Sequence, residues 1–141
     1  MSLKKHVLEI EYDYDFVLIG ISSHEKDYRI CWALNNKLGL ELTKADPLEI
    51  KDKKQNETSV FSLFACERPD EFMEYLIIAN RSERGLLIPE QKQMDYFFVI
   101  KGEIENETVE DTISKIKEIN FVLTAVRIDP SVLKSKQNLI F

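Results

Sequence analysis

Glu90, Asp95 and Tyr96 fall in one short stretch, IPEQKQMDY at 88–96. Two carboxyls five positions apart across a proline-led loop can meet at one end of a sheet. There, with the phenol beside them, they could hold a small molecule or a metal ion. The structural alternative is as simple: carboxylates that accept loop amide bonds, and a tyrosine whose ring packs while its hydroxyl reaches water. Asp27 and Asn35 form a second candidate pair. On a helical wheel both fall inside the apolar arc of a helix over 23–38, and a polar side chain there needs a partner or a ligand. The functional reading is a pocket between that helix and the sheet, with Tyr28, Arg29 and Trp32 at its rim. The structural one leaves Asp27 partly wet near the helix start and bonds Asn35 to the backbone of a neighbouring loop.

The remaining reactive residues are sparse. His6 and His24 stand in no pattern that suggests a catalytic triad. Cys31 and Cys66 are isolated in apolar stretches, without the C-x-x-C spacing of zinc or thioredoxin-like sites, and read as buried free thiols suited to a reducing compartment. Arg68 could lower the pKa of Cys66 only if that thiol were exposed. The four glycines build no phosphate-cradling loop. No catalytic residue, metal or cofactor is expected from this vocabulary.

Behind these residues stands a chain of 141, 44% hydrophobic and 31% charged, with a net charge of −6. That is the composition of one globular domain over 1–141, long enough to bury a core without disulfides. The acidic balance lowers the expectation of nucleic-acid binding, since KDKK at 51–54 is the densest basic run. The N-terminus lacks the apolar core of a signal peptide, and the apolar run at 16–21 is too short to span a bilayer. A cytoplasmic protein without membrane association is expected.

The elements that must position the candidates follow from periodicity. Residues 6–12 alternate as a half-buried strand, and 15–23 continue as an extended apolar segment in which Gly20 marks a bend or a close backbone approach. Ser22 and Glu25 have capping-box spacing before the first helix, and Gly39 supplies its stop. A wide arc that includes Ile30, Cys31, Leu34, Leu38, Tyr28 and Trp32 predicts a deeply seated helix. Strands are expected at 40–42, 48–50, 58–67, 71–81, 86–88, 94–102 and 121–129, with turns at 68–70 and 82–85. A second helix over 105–120 has Asn106 or Thr108 as its cap, acids in its first turns and lysines later. The class is α+β: a mostly antiparallel sheet of about five to seven strands with two principal helices.

Pro89 cannot donate to a sheet ladder and pushes Ile88 toward extended geometry, so 86–88 stays short and the polar EQKQ must return the chain as a new strand. In that strand Met94, Tyr96, Phe98 and Ile100 share one face, and Phe97 and Val99 the other. The neighbours behave alike: Phe61, Leu63 and Ala65 oppose Val60 and Phe64, and Tyr75 and Ile77 oppose Leu76 and Ile78. An antiparallel sheet with one wet face should alternate apolar and polar, and these strands do not. Two helices cover one face. The other calls for the 16–21 segment, the C-terminal tail or a second copy of the chain.

The stretch IPEQKQMDY resembles the signature of the IPExxxVDY family of bacterial proteins. Ile88, Pro89, Glu90, Asp95 and Tyr96 match, and Met94 stands where the signature has valine. DFVLIGISS, YRICWALN and DYFFVIKG are also similar to that family. The resemblance implies no activity, cofactor or catalytic residue. The function expected is therefore a non-catalytic interaction protein, binding an unknown protein partner or itself as a homodimer. The alternatives are a small enzyme or ligand-binding domain using the helix 23–38 pocket, and a nucleic-acid-associated protein.

Overall fold

A computed structural model describes residues 15–52 and 54–139. The strand read at 6–12 lies outside the described residues. The chain builds β1 (Val17–Ser22), α1 (Asp27–Leu38), β2 (Thr43–Lys44), β3 (Leu48–Asp52), β4 (Glu57–Phe61), β5 (Leu63–Arg68), β6 (Met73–Ala79), β7 (Arg81–Ser82), β8 (Gly85–Leu86), β9 (Tyr96–Lys101), α2 (Asn106–Lys117) and β10 (Thr124–Ile128). Six strands form one sheet in the order β10-β1-β9-β6-β5-β2, and every neighbouring pair is antiparallel. Two small ribbons, β3–β4 and β7–β8, stand beside it. The class is α+β.

The pleat sorts side chains as period two requires. Ile19, Ile21, Phe98, Ile100, Ile77, Phe64 and Cys66 point to one face, where Ile30, Cys31 and Leu34 of α1 and Val109, Ile113 and Ile116 of α2 cover them. Leu18, Phe97, Val99, Leu76 and Ile78 point to the other. That second face is closed by the chain itself. The β3–β4 ribbon brings Phe61, Leu48 and Ile50; the loop after β8 brings Leu87, Ile88 and Met94; the tail beyond β10 brings Leu133 and Leu139. Phe97 and Phe98 are both fully buried. The 16–21 segment is no cover at all, because β1 is an inner strand between β9 and β10.

Close approach across this second face explains Gly20. A Cβ there would lie 2.7 Å from Met94 Sδ and 2.8 Å from Ile128 Cδ1. Met94 therefore sits over the sheet on the Phe97 side, not on the Tyr96 side as strict alternation predicts. It precedes β9, in the turn that follows the 3-10 segment Pro89–Gln91. The run at 58–67 is also two strands rather than one. The break at Ser62 lets β4 leave the main sheet to pair with β3 while β5 stays in it. The strand read at 40–42 forms instead at Thr43–Lys44.

Neither predicted helix cap forms. α1 starts after Lys26 and α2 after Glu105, each without a side-chain cap bond. The hydroxyl of Ser23 accepts from the Glu25 amide but donates to Phe121 O, and Asn106 accepts from Arg127. Long-range partners outbid the local ones. Gly39, in left-handed geometry at φ 66°, ends α1 as its sequence position predicts.

Candidate functional site

The end of β1, the start of β9 and the beginning of α1 meet at one rim of the sheet, and there the chain concentrates its polar bonds. The Asp95 carboxylate accepts from the Ser23 amide at 2.8 Å through Oδ2 and from Arg81 Nε at 2.8 Å through Oδ1. Its backbone amide donates to Ile21 O, and its carbonyl accepts from the Asn80 amide. The hydroxyl of Tyr96 donates to Glu25 O, just ahead of α1. Burial, reinforced by the negative charges of Asp27, Asp95 and Glu25, pushes this phenol up to about 12. Tyr96 is therefore a neutral hydrogen-bond donor across the physiological range.

Asn80 sits at the centre of this knot and is fully buried. Its Nδ2 donates to Gln91 O at 3.0 Å and Met94 O at 2.8 Å, and its Oδ1 accepts from the Ile88 amide at 2.8 Å. Its backbone carbonyl also takes the Leu87 amide. One side chain thus satisfies both ends of the loop from Ile88 to Met94. Sequence reading passed over it inside the strand at 71–81. The available signal was an asparagine closing the apolar run 76–79, where a buried amide must find partners.

Glu90 lies apart from this cluster. Its carboxylate accepts from the Ser135 amide at 2.7 Å and from the Ser135 hydroxyl at 2.9 Å, tying down the tail that covers the second face. Slight desolvation pushes its carboxyl up, but the bonds from its own amide and from Ser135 outweigh that and hold it below the ordinary range. Asn35 is elsewhere again. It pairs with the backbone of Leu42, donating to its carbonyl at 3.1 Å and accepting from its amide at 2.8 Å. The Cys31 thiol donates to the same carbonyl, and burial, then the Asp27 charge, push it up against the lowering bond from Asn35.

The structure thus brings Asp27, Asp95 and Tyr96 to one rim and sets Asn35 and Glu90 apart, Glu90 on the tail side of the sheet. A single pocket lined by all of them does not form. Asp27 does border an open groove of about 570 Å³ together with Val60, Ser62, Ala79, Arg81 and Arg84. Both arginines there are already paired, Arg81 with Asp95 and Arg84 with Glu57 at 3.0 Å. Among the described residues no group of three or more His, Cys, Asp or Glu is placed to hold a metal ion. Both cysteines are buried and unpaired. No helix among the described residues is long and apolar enough to cross a membrane.

One expectation for α1 fails in an informative way. Tyr28 and Trp32 belong to the wide apolar arc, yet they stand 63% and 60% exposed, one turn apart on the outer side of the helix. The helix packs through Ile30, Cys31, Ala33 and Leu34, and among the described residues no further layer lies above it. Arg29 lies between them in sequence, bonded to Glu25 at 3.2 Å with its guanidinium 5.1 Å from the Phe121 ring centre.

No protein-family model matches the chain, and no curated protein matches it.

Proposed function

We propose that this chain is a non-catalytic interaction protein, and that it meets its partner through the outer face of α1. The observation that carries this reading is the exposed pair Tyr28 and Trp32, with Arg29 beside them. Trp, Tyr and Arg are the residue types that dominate binding energy at protein interfaces, where a well-buried anchor contributes about 2 kcal/mol or more. Inside the molecule this pair is not needed, because α1 is seated by its other side. The polar groups that could do chemistry support the same reading, since Asp95, Tyr96, Glu90 and Asn35 are all committed to backbone or tail bonds. Membership of the IPExxxVDY family belongs to the proposal, carried by Ile88, Pro89, Glu90, Asp95 and Tyr96, and it brings no activity with it. A cytoplasmic setting fits the two buried, unpaired thiols.

The test uses the full chain and a Tyr28→Ala/Trp32→Ser double variant. Both should melt alike, since neither ring is in the core. Native complexes captured from the source cell with the wild-type chain should lose a specific component in the variant. Capture of the same components by both would reject the α1 face. Trp32 is the sole tryptophan, so a blue shift of its emission on adding the recovered partner reports burial directly. Sedimentation over a concentration range asks whether that partner is a second copy.

A further inference from the structure

The turn between β5 and β6 carries an anomaly that no contact among the described residues explains. After the 3-10 segment Pro69–Glu71 the chain reverses through Phe72, at φ 55° and ψ 40°. Left-handed geometry suits glycine or asparagine and is disfavoured for a bulky side chain. Asn56 is the other non-glycine residue with positive φ among those described, and there the residue type fits. Phe72 is also 87% exposed. It pays a backbone cost without burying its ring. Such a residue points to a role outside the folded chain.

The surroundings are rigid and shaped. Gly102, after β9, lets the turn press inward: a Cβ there would lie 2.6 Å from Phe72 O and would collide with Met73 Sδ. Phe72, Pro69 and Met73 line an open groove of about 460 Å³ with Glu67, Glu74 and Lys101. Charge decides the occupant. Glu74 is paired with Lys101, and Glu71 with Arg68. Glu67 and Asp70 are exposed and have no cationic partner among the described residues. A second copy of this surface would set carboxylates against carboxylates, and an anionic bilayer would be repelled in the same way.

We infer that the Phe72 turn is a docking surface for a basic partner segment, one that places an apolar side chain against Phe72, Pro69 and Met73 and a lysine or arginine near Glu67 and Asp70. This surface is separate from the outer face of α1, and the two stand or fall independently.

The experiment titrates the full-length, isotope-labelled chain with a short synthetic peptide of lysine, leucine and serine, and with its glutamate-for-lysine counterpart. The lysine peptide should shift the backbone amides of 67–74 and of 101–102, and the glutamate peptide should not. Phe72→Asn should weaken binding about tenfold, the loss typical of an apolar anchor. Its melting temperature should hold or rise, because asparagine tolerates the left-handed turn. The Tyr28→Ala/Trp32→Ser variant should bind the peptide as the wild type does. A lower melting temperature for Phe72→Asn would show that the ring has an internal role and would overturn the proposal. So would lysine-peptide shifts spread over the whole acidic surface and unchanged by Phe72→Asn. Self-association or binding to anionic vesicles that depends on Phe72 would assign the surface to a different occupant and equally refute it.

Discussion

Replacing Asn80 tests whether the loop from Ile88 to Met94 is a structural knot. Alanine there removes three hydrogen bonds at once and leaves the Ile88 amide and the Met94 carbonyl without partners in the interior, while the Gln91 carbonyl keeps the Met94 amide. Each buried group stranded in this way costs about 1–3 kcal/mol. Water entering the vacated space recovers part of it, so a net loss of roughly 3–5 kcal/mol is expected. Total stability for such a domain is about 5–15 kcal/mol, so the variant should remain folded but weakened. At about 3 °C per kcal/mol for this chain length, the melting temperature should fall by roughly 10–15 °C. Urea denaturation should show a lower midpoint with an unchanged slope. Asn80→Asp sharpens the test. It keeps the shape and can still accept from Ile88, but as a carboxylate it faces two carbonyl oxygens. Burial raises its pKa above the ordinary aspartate value. A group raised on folding contributes its stability below its unfolded pKa and loses it as pH rises through the folded one. The deficit against wild type should therefore be smallest below about pH 4 and grow toward neutrality. An alanine variant that loses less than about 1 kcal/mol, or an aspartate deficit independent of pH, would refute the reasoning.

Gly20→Ala should cost about 1–3 kcal/mol by overpacking, since its methyl would meet Met94 Sδ and Ile128 Cδ1; a smaller residue at 94 should return part of the loss in a double-mutant cycle. Tyr96→Phe should cost about 1 kcal/mol at neutral pH. The wild-type chain should lose stability as pH rises from about 10, the unfolded phenol value, through about 12, its folded one, and that part of the loss should vanish in the variant, read by alkaline denaturation. Glu90→Ala should leave the sheet intact but speed amide exchange in the tail, at Ser135 above all, by about the factor that one exposed, charge-assisted contact supplies, roughly 1 kcal/mol. The carboxyl of Glu90 is depressed on folding, so its contribution should be present above the ordinary glutamate pKa and lost as pH falls through the folded value. Cys31 and Cys66 should resist a thiol reagent in the native chain and react at once in denaturant, since both are buried.

What was legible in the sequence was whatever period and composition encode. The two-sided apolar strands, the helices and the stop at Gly39 follow from alternation, wheel geometry and left-handed preference, and Phe97 against Phe98 sorted to opposite faces as the pleat requires. What was not legible depends on contacts distant along the chain. The capping box at Ser22 and Glu25 gives way because Ser22 ends β1 with its hydroxyl turned to Asp95, more than seventy positions later, and the Glu25 amide goes to the Ser23 hydroxyl. Met94 changes face because a 3-10 turn precedes β9, and no strand pattern foretells that turn. Apolar counts did not show that the ribbon, the loop after β8 and the tail would lie over the second face; Glu90 holding Ser135 fixes the tail there, a contact 45 positions apart in the chain. The aromatics of α1 were misplaced because the wheel gives the width of an apolar arc but not the number of layers that meet it.

Closing the second face changes what the remaining exposed rings mean. While that face stood open, Tyr28, Trp32 and Phe72 would have been minor beside it. With Leu18, Phe97 and Val99 sealed under the ribbon, the loop and the tail, the exposed aromatic rings among the described residues are Tyr28, Trp32 and Phe72, beside the aliphatic Val60, Leu123, Val126 and Val132. The rings also differ in kind: the α1 pair is unstrained, whereas Phe72 holds a costly backbone. The most recognisable stretch of sequence, 88–96, turns out to hold the fold together at Asn80, Ser23 and Ser135. Loss of function on altering Asp95 or Tyr96 would then report unfolding and say little about activity. Substitutions at 28, 32 and 72 leave the core alone, and only such changes can separate binding from stability.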